Sequence, residues 1–279
     1  MADPLLVHVH VPKCAGTTIE NHLKSQLGDG GMWAPPKRSR RFPLGWFSYK
    51  YDPELFVPTK QVRAISGHFI GQSIEKMFPG RRIIRSVILR EPESLMLSYY
   101  NFRMMRYLRE GQYSYSFSLF MRSMRLNPAA HFLLERWAEL PWIELARLSE
   151  EKKAALLDEM LGTFDFVADI ASTNALLASL STEIGIATTA TPQNTAEENQ
   201  KKIGWKLLRR NDLTQGDRQL IKDRTSLDRY LWRRWAQKEN VAFNLDDAKS
   251  FVIGEFGRTG YQVQRRIARG FGYTNGSAS

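Results

Sequence analysis

The sequence predicts an α/β fold with three layers, in which a central parallel sheet carries helices on both faces. Short runs rich in Val, Ile and Leu alternate along the chain with longer amphipathic segments. This order is typical of parallel strands joined by crossover helices. The chain contains no internal repeat and no long low-complexity tract that would indicate a different architecture.

Four segments have the length and composition of strands. The first alternates with the period of two that strands show, and the third is rich in Ile, Val and Leu, as expected for a buried strand. The four segments are residues 5–11, 62–66, 82–89 and 164–170.

Helices are predicted between and after these strands. Apolar residues recur every four positions after the first strand, Pro92 suits the first position of a helix, and Thr214 with Asp217 fits a capping box. The predicted helices cover residues 17–27, a segment that starts at 92, much of 116–160, residues 172–184 and a segment from 214 to 235.

The chain of 279 residues suits one large domain, or one domain with a modest appendage. We expect a domain over residues 1–240, with a possible substrate loop over 28–60, and a C-terminal extension over 241–279. The longest apolar runs are strand-sized, so we expect no transmembrane segment. Cys14 is the one cysteine, which excludes an intrachain disulfide and favours a reducing cytoplasm.

The formal net charge is +11, from 40 Lys and Arg against 29 Asp and Glu. Such an excess indicates polyanionic or multiply phosphorylated partners. Nucleic acid, a nucleotide with several phosphates and an acidic glycan all satisfy this condition, and charge alone does not separate them.

A first anion site is predicted where the first strand leads into the first helix. Small residues let backbone amides approach an anion, the helix N-terminus adds partial positive charge, and Lys13 adds a full charge. We expect Cys14 to fill space in this loop rather than to act as a nucleophile. The predicted site consists of Pro12, Lys13, Cys14, Ala15, Gly16, Thr17 and Thr18.

A second anion site is predicted at the end of the third strand. Arg90 follows the buried run 82–89, and Ser98 lies eight residues later in the helix that Pro92 opens. An arginine fork and a serine hydroxyl can converge on one phosphate. Two anion sites at the carboxyl end of one parallel sheet suit a nucleotide with phosphates at both its 5′ and 3′ positions.

These motifs resemble those of a known enzyme family. Residues 10–18 resemble the 5′-phosphosulfate loop of carbohydrate sulfotransferases that use 3′-phosphoadenosine 5′-phosphosulfate (PAPS), in the branch of the heparan and chondroitin uronyl enzymes and their bacterial relatives. Residues 87–92 with Ser98 resemble the 3′-phosphate motif, and Gly67 with His68 resembles the Gly-His segment between the two. The pattern departs from the family at Glu91 and at residues 171–172.

The resemblance implies a P-loop-like fold and transfer of a sulfuryl group from PAPS to a hydroxyl, with a carbohydrate or glycoconjugate as the expected acceptor. It implies that Lys13 stabilises charge on the leaving phosphate oxygen, that His68 is the general base, and that Arg90 with Ser98 binds the 3′-phosphate. No metal is expected to take part. His10 and His22 are the next candidates for the base.

Two other functions stay open at the level of sequence. A P-loop nucleotide kinase would use the same strand–loop–helix unit, but the Gly-Lys-Ser/Thr ending of a Walker A loop is missing and Arg90 follows the third strand where a carboxylate would be needed. A non-catalytic nucleic-acid-binding protein would explain the charge, but no recognition motif supports it, and we expect no nucleic-acid partner. The candidate acceptor contacts are the loop 28–60 and the run Arg103, Arg106 and Arg109.

Overall fold

The computed structural model describes residues 3–35, 40–41, 47–48, 61–112, 114–190 and 205–244. In these ranges the chain forms a five-stranded sheet and a separate two-stranded antiparallel sheet. The strands are β1 (Leu5–Val9), β2 (Met32–Trp33), β3 (Arg40–Arg41), β4 (Phe47–Ser48), β5 (Ala64–Gly67), β6 (Ile83–Leu89) and β7 (Phe166–Asp169).

The larger sheet has the strand order β2-β5-β1-β6-β7, and each neighbouring pair is parallel. Helices surround it. They are α1 (Gly16–Gly31), α2 (Pro92–Arg109), α3 (Phe117–Ser123), α4 (Pro128–Phe132), α5 (Trp142–Arg147), α6 (Glu150–Leu161), α7 (Thr173–Ile184), α8 (Gln215–Arg224) and α9 (Ser226–Leu231). The predicted α/β class with a central parallel sheet is confirmed.

The connections place helices on both faces of the sheet. The connection from β1 runs through α1 toward the β2 edge of the sheet. The connections from β5 to β6 and from β6 to β7 run toward the opposite edge, which is formed by β7. Because parallel crossovers are right-handed, the two sets of connecting segments lie on opposite faces. The helix α7 shares the face of α1, since His22 of α1 donates from Nε2 to the carbonyl of Ala187, just after α7, at 2.8 Å.

The central strand β1 is buried along its whole length. In register with it, His8 lies beside Ser66 of β5 and Ser86 of β6, so three polar side chains form a row across one face of the sheet. The His8 Nδ1 lies 2.9 Å from the Ser86 hydroxyl. Complete burial, followed by the charge of His10, lowers the pKa of His8 to about 3, so this imidazole is neutral at physiological pH.

Several predicted boundaries differ from the observed ones. The first strand ends at Val9 rather than at residue 11, because the next residues already belong to the turn into α1. The segment 116–160 is divided into four α-helices and a π-helix, Leu133–Trp137, with Pro128 at the first position of one α-helix and Pro141 capping another. The helix predicted over 214–235 breaks at Thr225, whose φ and ψ of −133° and 30° are not helical.

The edge strand β2 was not predicted, because two residues are too short to show a period. Most of the predicted loop 28–60 and nearly all of the predicted extension 241–279 lie outside the described residues. The division into domains therefore stays a prediction. Within the described ranges, no helix combines the length and apolarity needed to cross a membrane.

Candidate active site

The backbone of the loop between β1 and α1 has features that suit an anion. Lys13 and Ala15 have φ angles of 68° and 58°, a left-handed conformation that costs a non-glycine residue on the order of 1–3 kcal/mol. The first N–H groups of a helix have no intrahelical acceptor, and α1 has neither a side-chain cap nor an acidic residue in its first turn. Partial positive charge is therefore left at this helix end, where the half-buried Thr17 and Thr18 add hydroxyl groups.

Cys14 is buried at the centre of this loop. Desolvation is the largest influence on its thiol, and the pKa of Cys14 is raised to about 12. The thiol therefore stays protonated at neutral pH and is a poor nucleophile. This agrees with the prediction that Cys14 fills space in the loop.

Lys13 provides the full positive charge of the loop. Its Nζ lies 4.1 Å from the ring centroid of Phe102, a residue of α2 that is 43% exposed. Burial, and after it the nearby charge of Arg90, lowers the pKa of Lys13 to about 8. Both influences disfavour the ammonium form of Lys13. An anion bound beside it would stabilise that charged form.

Arg90 connects the second predicted site to the first. Its Nη1 donates to the backbone carbonyl of Lys13 at 3.1 Å, and its Nε donates to the Ser94 hydroxyl at 3.0 Å. Ser98 lies one turn beyond Ser94 on the same face of α2. The Glu91 carboxylate accepts from the Ser94 N–H as the cap of α2 and pairs with Arg210. Ser94 was not predicted from the sequence, although its four-residue spacing from both Arg90 and Ser98 is a usable signal.

His68 directly follows the last residue of β5. In the sheet, β5 lies on one side of β1, and β6, the strand before Arg90, lies on the other. Its Nδ1 lies 2.7 Å from the backbone carbonyl of His10. A carbonyl only accepts hydrogen bonds, so Nδ1 carries the proton, and in the neutral imidazole the lone pair is at Nε2. The rings of Phe69 and Phe132 stand edge-on to His68, with centroids 6.3 and 6.2 Å away.

His10 packs directly against His68 and is held by a carboxylate. The two imidazole centroids are 3.8 Å apart, and His10 Nδ1 donates to Glu20 Oε1 at 2.7 Å. The Ser66 hydroxyl donates to the same oxygen at 3.1 Å. Burial raises the pKa of Glu20, but the hydrogen bonds from His10 and Ser66 and the nearby histidine charges outweigh it, so the net pKa is lowered and the carboxylate is ionised at neutral pH. Glu20 was not predicted from the sequence.

The loop therefore connects His68 and Arg90 through its backbone. The carbonyl of His10 holds His68 from β5, and the carbonyl of Lys13 holds Arg90 from β6. His22, the other reserve candidate for the base, faces Ala187 instead. No group of three or more His, Cys, Asp or Glu side chains in the described part of the chain is arranged to hold a metal ion.

The three arginines predicted for the acceptor have different surroundings on α2. Arg103 lies over the Phe120 ring at 5.2 Å and is half-buried, whereas Arg106 is exposed and pairs with Glu110 at 2.7 Å. Arg109 is exposed in the last turn of the helix.

No protein-family model matches the sequence, and no curated protein is significantly similar to it. Among solved structures, the chain is similar to a sulfotransferase from Alicyclobacillus acidocaldarius, with 15% identity and a TM-score of 0.42 over 82% of this chain and 93% of that one. It is also similar to the mouse sulfotransferase SULT7A1 in complex with PAP, with 13% identity and a TM-score of 0.32 over 93% and 90% of the two chains. Likenesses this distant carry no conclusion about the activity of this chain.

The contact between His10 and α1 depends on Gly16. A Cβ atom at this position would lie 1.7 Å from Cδ2 of the His10 ring, whereas a Cβ at Gly216 in α8 would meet nothing closer than 3.8 Å. We expect Gly16→Ala to destabilise the protein by about 1–3 kcal/mol through overpacking, and Gly216→Ala to be neutral or stabilising by up to about 1 kcal/mol. Urea unfolding measures the free energy of unfolding of both variants. A Gly16→Ala protein as stable as the wild type would show that the His10 ring is not packed tightly against position 16.

Proposed function

We propose that this protein transfers a sulfuryl group from PAPS to a hydroxyl of an acceptor, and that the acceptor is a carbohydrate or glycoconjugate. One observation carries the proposal: the loop that presents Lys13 and an uncapped helix end also holds Arg90 and His68 through its own carbonyls. An anion-binding loop, a second cationic group and an imidazole with a lone pair at Nε2 are thereby brought to one edge of the sheet. These are the groups that transfer from a doubly phosphorylated nucleotide requires.

The residues of this edge fit the donor nucleotide. In the proposal, the N-terminus of α1 and Lys13 bind the 5′-phosphosulfate, as helix ends and lysines bind phosphate groups elsewhere. Arg90, Ser94 and Ser98 bind the 3′-phosphate. The bonds from Arg90 to Ser94 and to the Lys13 carbonyl fix the plane of the guanidinium, so its recognition of a phosphate would be directional.

The donor supplies a sulfuryl group whose sulfur is bonded to an oxygen of the 5′-phosphate. His68 would take the acceptor hydroxyl proton at Nε2 while the acceptor oxygen bonds to sulfur. The bond between sulfur and the phosphate oxygen breaks, and Lys13 would stabilise the negative charge that collects on that oxygen. Adenosine 3′,5′-bisphosphate (PAP) and the sulfated acceptor are then the products, and His68 returns its proton to solvent.

The exposed face of α2 supports an acidic, ring-containing acceptor. Phe102, Arg106 and Arg109 are exposed and follow one another at spacings of four and three residues, so they share one face of the helix. Phe102 also contacts the Lys13 ammonium, which places this face beside the proposed donor site. An apolar ring face with guanidinium groups next to it suits a sugar that carries a carboxylate or sulfate.

The proposed two-phosphate site is tested by calorimetry without metal. We expect PAP to bind far more tightly than AMP, because only PAP engages Arg90. Arg90→Ala should weaken PAP binding by about 1.5–3 kcal/mol more than it weakens AMP binding, because loosening of the loop through the lost bond to the Lys13 carbonyl affects both nucleotides alike. Arg82→Ala is the matched control, since Arg82 pairs with Glu183 at the opposite end of β6. Equal affinity for PAP and AMP would remove the 3′-phosphate assignment, and tighter binding of ATP with Mg²⁺ would favour a kinase.

The depressed pKa of Lys13 makes PAP binding dependent on pH. A bound phosphate raises the lysine pKa from its value of about 8 in the free protein, so binding takes up a proton above that pH. PAP affinity should therefore change little near pH 7 and fall roughly 10-fold between pH 7 and pH 9. Lys13→Arg keeps its charge throughout and should lack this fall. A wild-type affinity that is unchanged at pH 9, or an equal fall in Lys13→Arg, would show that Lys13 does not contact the phosphate.

A further inference from the structure

A cluster of three polar residues next to His68 has no role in the transfer reaction proposed above. It consists of Glu20 of α1, His10 of the loop and Ser66 of β5. Glu20 receives hydrogen bonds from both of the others, and His10 touches His68 with its ring. We propose that Glu20, acting through His10, is a positioning residue that fixes the orientation and the proton position of His68. The inference deepens the proposed function and rests on it only for the role of His68 in turnover.

His10 is fixed at four points, and two of them involve His68. Its N–H donates to the Gly67 carbonyl at 3.4 Å, next to His68 in the chain. Its own carbonyl accepts from His68 Nδ1, and its ring lies against the His68 ring with a tilt of 38°. The fourth point is the bond from its Nδ1 to Glu20. Because the ring also packs closely on Gly16, the imidazole of His10 has little freedom while this bond is intact.

The bond to Glu20 is the one that removes rotation about the Cβ–Cγ bond of His10. Without an acceptor at Nδ1, the His10 ring can turn and leave one face of His68 uncovered. The His68 ring would then be able to turn as well, which would weaken the bond from its Nδ1 to the His10 carbonyl and move the ring relative to the acceptor hydroxyl. Proton transfer depends steeply on such alignment, because the base must lie within hydrogen-bond reach of the proton it takes.

The charge of Glu20 adds a second effect on the same residue. The carboxylate interacts electrostatically with His68 as well as with His10, and it is ionised at neutral pH. When His68 takes the acceptor proton it becomes an imidazolium ion. A nearby carboxylate stabilises that ion, which is the part played by the aspartate of a Ser-His-Asp triad. The geometry here differs, because the second histidine lies between the carboxylate and the base.

The test compares Glu20→Gln and Glu20→Ala with a matched control. Gln keeps an oxygen that accepts from His10 but loses the charge, whereas Ala loses both. Glu183→Gln is the control, because Glu183 is similarly exposed, 27% against 24% for Glu20, and pairs with Arg82 at the far end of the sheet. Long-range nitrogen–proton NMR of the free protein reports which ring nitrogen of His68 carries the proton, and it requires neither donor nor acceptor.

We expect wild type, Glu183→Gln and Glu20→Gln to show His68 protonated at Nδ1, and Glu20→Ala to show a mixture of the two tautomers. Turnover of PAPS, followed as PAP release with water and a panel of sugar hydroxyls as acceptors, should fall in the order wild type, Gln, Ala. The loss in Ala should be on the order of 10-fold or more, with PAP affinity unchanged.

Two results would overturn the inference. In the first, Glu20→Ala retains the wild-type tautomer of His68 together with wild-type turnover. In the second, Glu20→Gln loses turnover as completely as His68→Ala, which would make Glu20 the base itself. The tautomer measurement separates this inference from the proposed function: a changed His68 tautomer in a protein that does not bind PAP supports the positioning role and contradicts the sulfotransferase assignment.

Discussion

The arrangement at the carboxyl edge of the sheet depends on two backbone carbonyls of one loop. The carbonyl of His10 accepts from His68, and the carbonyl of Lys13 accepts from Arg90. These bonds tie the ends of β5 and β6 to the end of β1, which lies between them in the sheet. Left-handed backbone at Lys13 and Ala15 gives the loop its tight shape. The complete burial of β1 fixes the point at which the loop begins.

This constraint explains why the candidate groups are close in space although they are far apart in sequence. His68 and Arg90 each follow a strand that pairs with β1, so both arrive beside the same loop. Parallel pairing brings strand ends of the same sense to one edge. The acceptors that the loop provides are backbone carbonyls, which every residue type has. The side chain of Lys13 is not needed for these bonds and can contact an anion.

Much of the fold and of the candidate site could be predicted from the sequence, because each had a local signal. Alternating apolar runs indicated the parallel strands, and the strand–loop–helix pattern at residues 10–18 indicated an anion site next to Lys13. The convergence of Lys13 and Arg90 followed from the rule that strand ends share an edge. The structure confirms the parallel sheet and brings these two residues into contact.

The remaining features had no local signal. The edge strand β2 is only two residues long. The helix break at Thr225 is visible only in the backbone angles of that residue, because the surrounding sequence has a helical pattern. Glu20 lies on a helix face like many surface carboxylates, and only the tertiary fold shows that it meets His10 and Ser66. The acceptor of the His68 bond is a backbone carbonyl, which no sequence pattern identifies. Contacts made through backbone or across elements therefore required the structure.

The central claim is that His68 takes a proton from the acceptor while the loop and Arg90 bind the donor. It is tested most directly by measuring PAP release from PAPS and PAP affinity in parallel for wild type and His68→Gln, with water and a panel of sugar hydroxyls as acceptors. Gln keeps a hydrogen bond at this position but does not take the proton, so turnover should fall by roughly 10²-fold or more while PAP affinity stays nearly unchanged. A folded His68→Gln protein that retains more than about a third of wild-type turnover would contradict the account.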